Sequence, residues 1–153
     1  MATAPFTVVI GYGSRLRGDD GVGPRVASLI ARRRPDVRAL GVHQLTPELA
    51  AVVAEADLAV FVDARLGGGA AVTVQRAEPD RSTSSLPHLA APGAVLALAA
   101  ALYGRCPPAF IVSVPVERLA FGDRLSPMAR VGARQAVETV AGLLPPAGAD
   151  RDA

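Results

Sequence analysis

The sequence predicts an α/β protein: a three-layer α/β/α sandwich with helices on both faces of a mostly parallel, twisted sheet of about five strands. Short apolar or β-branched runs alternate with amphipathic segments along the whole chain, as in repeated βαβ units. The run 58–62 is continuously apolar, which is typical of a strand buried on both faces of a parallel sheet. Right-handed crossovers then bring the carboxyl ends of the strands to one edge, where ligands bind in such folds.

Each element has a local pattern that predicts it. In the first helix, Val22, Val26 and Ile30 recur at helical spacing. Gly104 is expected to end the third helix, and Ser126 is expected to cap the last one. The predicted strands are 7–10, 37–42, 58–62, 71–76 (an edge strand or a hairpin partner) and 109–114, and the predicted helices are 21–33, 47–55, 91–103 and 127–144.

Composition excludes several classes of protein. The 153 residues fit one domain, expected over 1–146 with a disordered tail at 147–153. A net charge of +2 gives no reason to expect a nucleic-acid partner, and no apolar run is long enough to cross a membrane. With no signal-like segment and no surplus apolar face, the chain is expected to be a cytoplasmic monomer. The single cysteine, Cys106, excludes an internal disulfide and a cysteine metal cluster.

The stretch after the first strand resembles a phosphate-binding loop and then departs from it. Gly11 and Gly13 follow the strand, and a helix begins soon afterwards, an arrangement that presents backbone N–H groups to phosphate. Asp19 and Asp20, however, lie at the helix entrance, where their charge would repel an anion. Two carboxylates at this place suit a cation or proton chemistry instead.

Other nucleotide and hydrolase motifs fail on spacing. The third glycine of the loop is Gly18, which does not fit G-x-G-x-x-G, and no acid follows the second strand to hold a ribose. The chain contains no lysine, so a Walker loop is excluded. No G-x-S-x-G elbow is present for a serine hydrolase.

Asp20, Asp63 and His88 are the candidate site residues. Two carboxylates and an imidazole can bind a divalent transition metal and leave positions open for a substrate group. Each also has an ordinary structural explanation: Asp20 as a helix cap, Asp63 as a polar strand end, His88 as a surface histidine. Asp19 is expected to brace the loop, although it could exchange roles with Asp20, and His43 lies at the same edge as an alternative to His88.

These motifs, taken in order, resemble those of the hydrogenase maturation proteases, which trim the large subunit of nickel–iron hydrogenases. The resemblance runs from about residue 7 to residue 144. The segments that carry it are 11–23 (GYGSRLRGDDGVG), 43–49 (HQLTPEL), 60–64 (VFVDA), 87–88 (PH), 103–104 (YG) and 125–127 (LSP).

The resemblance implies an endopeptidase, catalogued with the aspartic-type peptidases. It would remove a C-terminal extension from the nickel-loaded large-subunit precursor. In this family an acidic residue, the aspartate after the third strand and a later histidine are thought to sense nickel, and these positions match Asp20, Asp63 and His88. The nickel would arrive with the precursor, so no tightly held cofactor is expected.

Two mechanisms remain open at this point. In one, the nickel polarises the scissile peptide or a water; in the other, Asp20 and Asp63 act as an acid–base pair on water. Arg65 and the loops 67–69 and 77–87 are expected at the entrance, either to recognise the precursor or simply as solvated loop residues. A non-catalytic module that binds a metal or ligand on the same scaffold is the alternative function.

Overall fold

The computed structural model describes residues 6–67, 69, 71–80, 91–117, 122 and 124–147. Five strands and four helices lie in these ranges, and a 3-10 turn at Gly18–Gly21 precedes the first helix. The strands are β1 Thr7–Tyr12, β2 Arg38–Val42, β3 Leu58–Leu66, β4 Thr73–Arg76 and β5 Ala109–Val116, and the helices are α1 Val22–Arg33, α2 Leu49–Glu55, α3 Pro92–Tyr103 and α4 Pro127–Leu143.

The strands form one sheet in the order β2-β1-β3-β5-β4. The three pairings among β2, β1, β3 and β5 are parallel, and only β4 runs antiparallel to its neighbour β5. This confirms the predicted mostly parallel α/β fold. The segment predicted at 71–76 is an edge strand and not a hairpin partner of β3, because it pairs with β5 instead.

The core lies on both faces of the sheet. One buried cluster joins alternate residues of β1, β3 and β5 to α1 and α4, and a second joins the other residues of these strands to α2 and α3. The central residues of β3, Ala59–Val62, are fully buried, as the continuous apolar run predicted. No helix in the described ranges is long and apolar enough to cross a membrane.

Several element bounds differ from the predicted ones. β3 continues four residues beyond Val62, because β5 pairs with it as far as Leu66. α2 begins at Leu49, since the residues from Thr46 onward form turns before the helix starts. The tail expected at 147–153 lies almost wholly outside the described residues, as does most of the loop expected at 77–87.

The arginines at the end of α1 contact the other end of the chain. Arg33 pairs with Glu138 on α4, and Arg34 binds both Asp36 and the carbonyl oxygen of Pro145. These contacts tie the end of α1 to α4. Because these groups are exposed, the ion pairs add little to the stability of the fold.

Candidate functional site

The strand order reverses next to β1. From β1 the chain passes through α1 to β2 on one side, and through α2 it returns to β3 on the other side. Such a reversal opens a crevice beyond the carboxyl ends of the strands, the usual ligand site of open α/β sheets. The β1 exit loop and Asp63 both lie at this edge, as the sequence predicted.

Asp63 lies just beyond the reach of β1 and not at the end of its own strand. β1 pairs with β3 only as far as Gly11 and Val62, whereas β5 continues and places Ser113 opposite Asp63. The predicted strand end at this residue is therefore wrong. Beyond the last pair of β1 and β3, the Tyr12 hydroxyl donates a hydrogen bond to Oδ2 of Asp63 at 2.9 Å.

Burial sets the electrostatics of this pair. It raises the pKa of Asp63 above the ordinary value of 3.8, although the Ser113 and Tyr12 hydroxyls and the charge of Arg65 offset part of the shift. Burial and the charge of Asp63 also raise the pKa of Tyr12, so the phenol remains a hydrogen-bond donor. The other carboxylate oxygen, Oδ1, is buried and has no hydrogen-bond partner among the described residues. It is an acceptor available to a proton or a cation.

Asp20 lies in the 3-10 turn, where its carboxylate folds back on the glycine loop. Its Oδ2 accepts a hydrogen bond from the Ser14 N–H at 2.7 Å. Gly13 permits this contact: its φ is +142°, and a Cβ there would lie 1.9 Å from the carbonyl oxygen of Asp20. The N-cap of α1 is Gly21, with no side-chain cap, so the interpretation of Asp20 as a helix cap is wrong. Its charge helps to raise the pKa of Tyr12, which links it electrostatically to the Asp63 pair.

Asp19 has a different role from its neighbour. Its side chain is completely buried. Its carboxylate accepts hydrogen bonds from the Glu117 N–H at 3.0 Å, the Ser126 N–H at 2.6 Å and the Ser126 hydroxyl at 2.6 Å. Asp19 therefore fastens the 3-10 turn to the end of β5 and to the residue that caps α4. This is the bracing role expected for it, and it leaves Asp20 as the carboxylate of this turn nearer the crevice.

The two histidines differ in what the structure describes. His88 falls within 81–90, outside the described residues, so its place in the site stays a prediction. His43 is exposed just beyond β2 and lines a cavity of about 190 Å³ together with Gly13 and Arg15. Within the described ranges, no three histidine, cysteine or acidic side chains are grouped to hold a metal. The free oxygen of Asp63 fits a cation, but a third ligand would have to come from elsewhere.

Sequence reasoning missed Tyr12 as a member of the site. A pattern that could have revealed it was present: Tyr12 is in phase with the buried Ile10 on β1, as Asp63 is with the buried Phe61 on β3. In adjacent parallel strands, such residues lie on the same face. The two polar groups therefore meet where that apolar face ends.

Comparison with known proteins agrees with this architecture. No family model and no curated protein sequence matches the chain. Among solved structures, it shares the fold of the hydrogenase maturation endopeptidases. It is similar to the maturating endopeptidase HybD from E. coli, at 22% identity over 91% of both chains with a TM-score of 0.70. It is also similar to the nickel–iron hydrogenase maturation protease HycI from Thermococcus kodakarensis, at 23% identity over 94% of both chains with a TM-score of 0.69.

A third solved structure, HybD from Thermococcus kodakarensis, is 20% identical over 92% of this chain and 99% of its own, with a TM-score of 0.69. The likeness therefore covers nearly the full length of each of these proteins. It confirms the resemblance drawn from the motifs at the level of the fold.

Proposed function

We propose that this protein is an endopeptidase that removes a C-terminal extension from the nickel-loaded large-subunit precursor of a nickel–iron hydrogenase. The observation that carries the proposal is the placement of Asp20 and Asp63 at the edge where the strand order reverses. The fold it shares with maturation endopeptidases over more than nine-tenths of the chain supports the same activity.

The nickel of the precursor is the group that these carboxylates would recognise. Tyr12 holds Oδ2 of Asp63, which leaves the buried Oδ1 as the oxygen available to the metal. Asp20 would supply a second oxygen and His88 a nitrogen. An imidazole with two carboxylates suits a divalent transition metal and leaves it able to polarise a peptide carbonyl or a water.

An acid–base mechanism uses the same residues in different protonation states. Burial raises the pKa of Asp63, so this carboxyl is the one suited to carry the shared proton. Asp20 accepts a backbone N–H through one oxygen and would activate water with the other. This assignment is the aspartic-type form of the proposal, with nickel used only for recognition.

The remaining features of the proposal concern where and with what the protein acts. We propose a cytoplasmic monomer whose macromolecular partner is the precursor, with no nucleic-acid or membrane partner. The net charge of +2 supports the absence of a nucleic-acid role. Because nickel would arrive with the substrate, the protein needs no tightly held cofactor of its own.

A processing assay with nickel-loaded and nickel-free precursor tests this function. The expected result is loss of the C-terminal extension, seen as a gel shift, only from the nickel-loaded form and only when His88 is intact. His88→Ala is compared with Arg32→Gln, a change on the exposed face of α1. If His88→Ala cleaves as fast as wild type, the endopeptidase function stands and the assignment of His88 to the site is refuted. Nickel-dependent binding of the precursor without cleavage by the wild type would instead favour the non-catalytic module.

A further inference from the structure

A cavity of about 270 Å³ lies against the 3-10 turn that carries Asp20. Neither Tyr12 nor Asp63 belongs to its lining. Its lining residues are Arg15, Gly18, Gly21, Arg25, Ser28 and Leu125. Two cationic side chains, a hydroxyl group and two glycines therefore surround one opening beside the candidate site.

The arginines of this cavity are not paired with an acid in the described part of the chain. Arg15 and Arg25 are exposed, and neither forms a hydrogen bond or an ion pair with a described residue. The nearest acids along the chain form their hydrogen bonds with other groups. Asp19 accepts its hydrogen bonds from Ser126 and the Glu117 amide, and Asp20 accepts the Ser14 amide.

The two arginines are anchored on well-packed backbone. Arg15 lies over the turn, since a Cβ on Gly21 would come within 3.1 Å of its Cα and 3.5 Å of its Cγ. Arg25 belongs to the first turn of α1, and Ser28 follows it one helical turn later on the same face. Their positions relative to Asp20 are therefore fixed by the same turn and helix.

We propose that this cavity binds carboxylate groups of the precursor's C-terminal segment and so helps to place the cleavage point beside Asp20. Guanidinium groups pair with carboxylates through two parallel hydrogen bonds, a geometry that suits a peptide carboxylate better than a neutral side chain. The glycines leave room for the ligand to approach the turn. The inference rests on the proposed endopeptidase function, which it extends from the reaction centre to substrate recognition.

The test compares Arg15→Gln, Arg25→Gln and the double variant with Arg32→Gln, which removes the same charge from the same helix outside the cavity. Binding is measured with nickel-free precursor, which is not expected to be cleaved, and KM is measured with nickel-loaded precursor. Each single variant should weaken binding about threefold and the double variant about tenfold, as expected for exposed ion pairs. The effect should appear in KM more than in kcat and shrink at high salt. Arg32→Gln should match the wild type.

The substrate is varied in the same way: its C-terminal acidic residues are changed to their amides and its terminal carboxylate is blocked. Wild type should bind this precursor about as weakly as the double variant binds the unmodified precursor. Equal binding by the double variant and Arg32→Gln would overturn the proposal. The proposal would also be overturned if inorganic phosphate binds through Arg15 and Arg25 while binding of the precursor does not depend on them, because the cavity would then bind a free anion. If binding depends on the arginines but no cleavage occurs, the carboxylate-binding role of the cavity is supported and the endopeptidase function is refuted. If cleavage occurs but binding does not depend on the arginines, the function is supported and the role of the cavity is refuted. Absence of both binding and cleavage would refute both.

Discussion

Replacement of Asp19 by alanine should destabilise the protein far more than loss of an ordinary surface acid. The Asp19 carboxylate is completely buried and accepts hydrogen bonds from two backbone amides and one hydroxyl. The alanine variant would leave these three donors without their acceptor. It would also separate the 3-10 turn from the end of β5 and from the capping residue of α4.

The size of the effect follows from these contacts. A hydrogen bond to a charged group contributes about 1.5–3 kcal/mol, but three bonds to one carboxylate are not additive, and the buried charge carries its own desolvation penalty. We therefore expect the free energy of unfolding to fall by about 3–5 kcal/mol. For a chain of this size that corresponds to a loss of roughly 10 °C in Tm.

Urea unfolding followed by circular dichroism measures this change, with Asp57→Asn as the control. Asp57 is half exposed and forms an ion pair with Arg105, so its variant should change stability by less than about 1 kcal/mol. Asp19→Asn should lie between the two, because it keeps one acceptor oxygen and adds an amide group that cannot accept. A loss below about 1 kcal/mol for Asp19→Ala would refute the bracing role.

Three further predictions concern the crevice and the packing beneath it. Asp63→Asn should slow processing of the nickel-loaded precursor at least about a hundredfold. It should also raise Tm near neutral pH, because burial disfavours the ionised carboxyl. In paired melts this advantage should vanish below about pH 3.8, where the carboxyl is protonated in both the folded and the unfolded state, and grow as the pH rises above it. Tyr12→Phe should slow single-turnover processing about tenfold with a small change in Tm, because it removes only the hydroxyl that donates to Asp63. An unchanged rate would show that this hydroxyl has no part in processing. Gly11→Ala should destabilise by about 2 kcal/mol or more in urea unfolding, because its Cβ would meet the Gly23 carbonyl oxygen at 1.9 Å; full stability would show that α1 can shift.

The order of the elements and the position of the candidate edge could be predicted from the sequence, because both follow from local patterns. Continuous burial of β3 follows from its apolar run, and the capping of α4 follows from Ser126 and Pro127. The direction of β4 could not be predicted, because pairing with β5 is a long-range choice that its four exposed residues do not encode.

The site was harder to predict, because its contacts join distant parts of the chain. The sequence predicted a bracing role for Asp19 but not its partners. Asp19 turns toward Ser126, more than one hundred positions away, while Asp20 turns toward Ser14. Tyr12 and Asp63 are each in phase with a buried residue of their own strand, but their hydrogen bond also requires the register between β1 and β3, which is a long-range pairing. The place of His88 in the site stays a prediction, since this residue lies outside the described residues.

The most direct test of the central claim is mass spectrometry of the nickel-loaded precursor after incubation with wild type, Asp20→Asn, Asp63→Asn and the control Asp57→Asn. We predict that wild type and the control release one C-terminal peptide, and that each crevice variant slows this release by at least about a hundredfold while remaining folded. Wild-type rates from both crevice variants would contradict the claim that this edge of the sheet performs the cleavage.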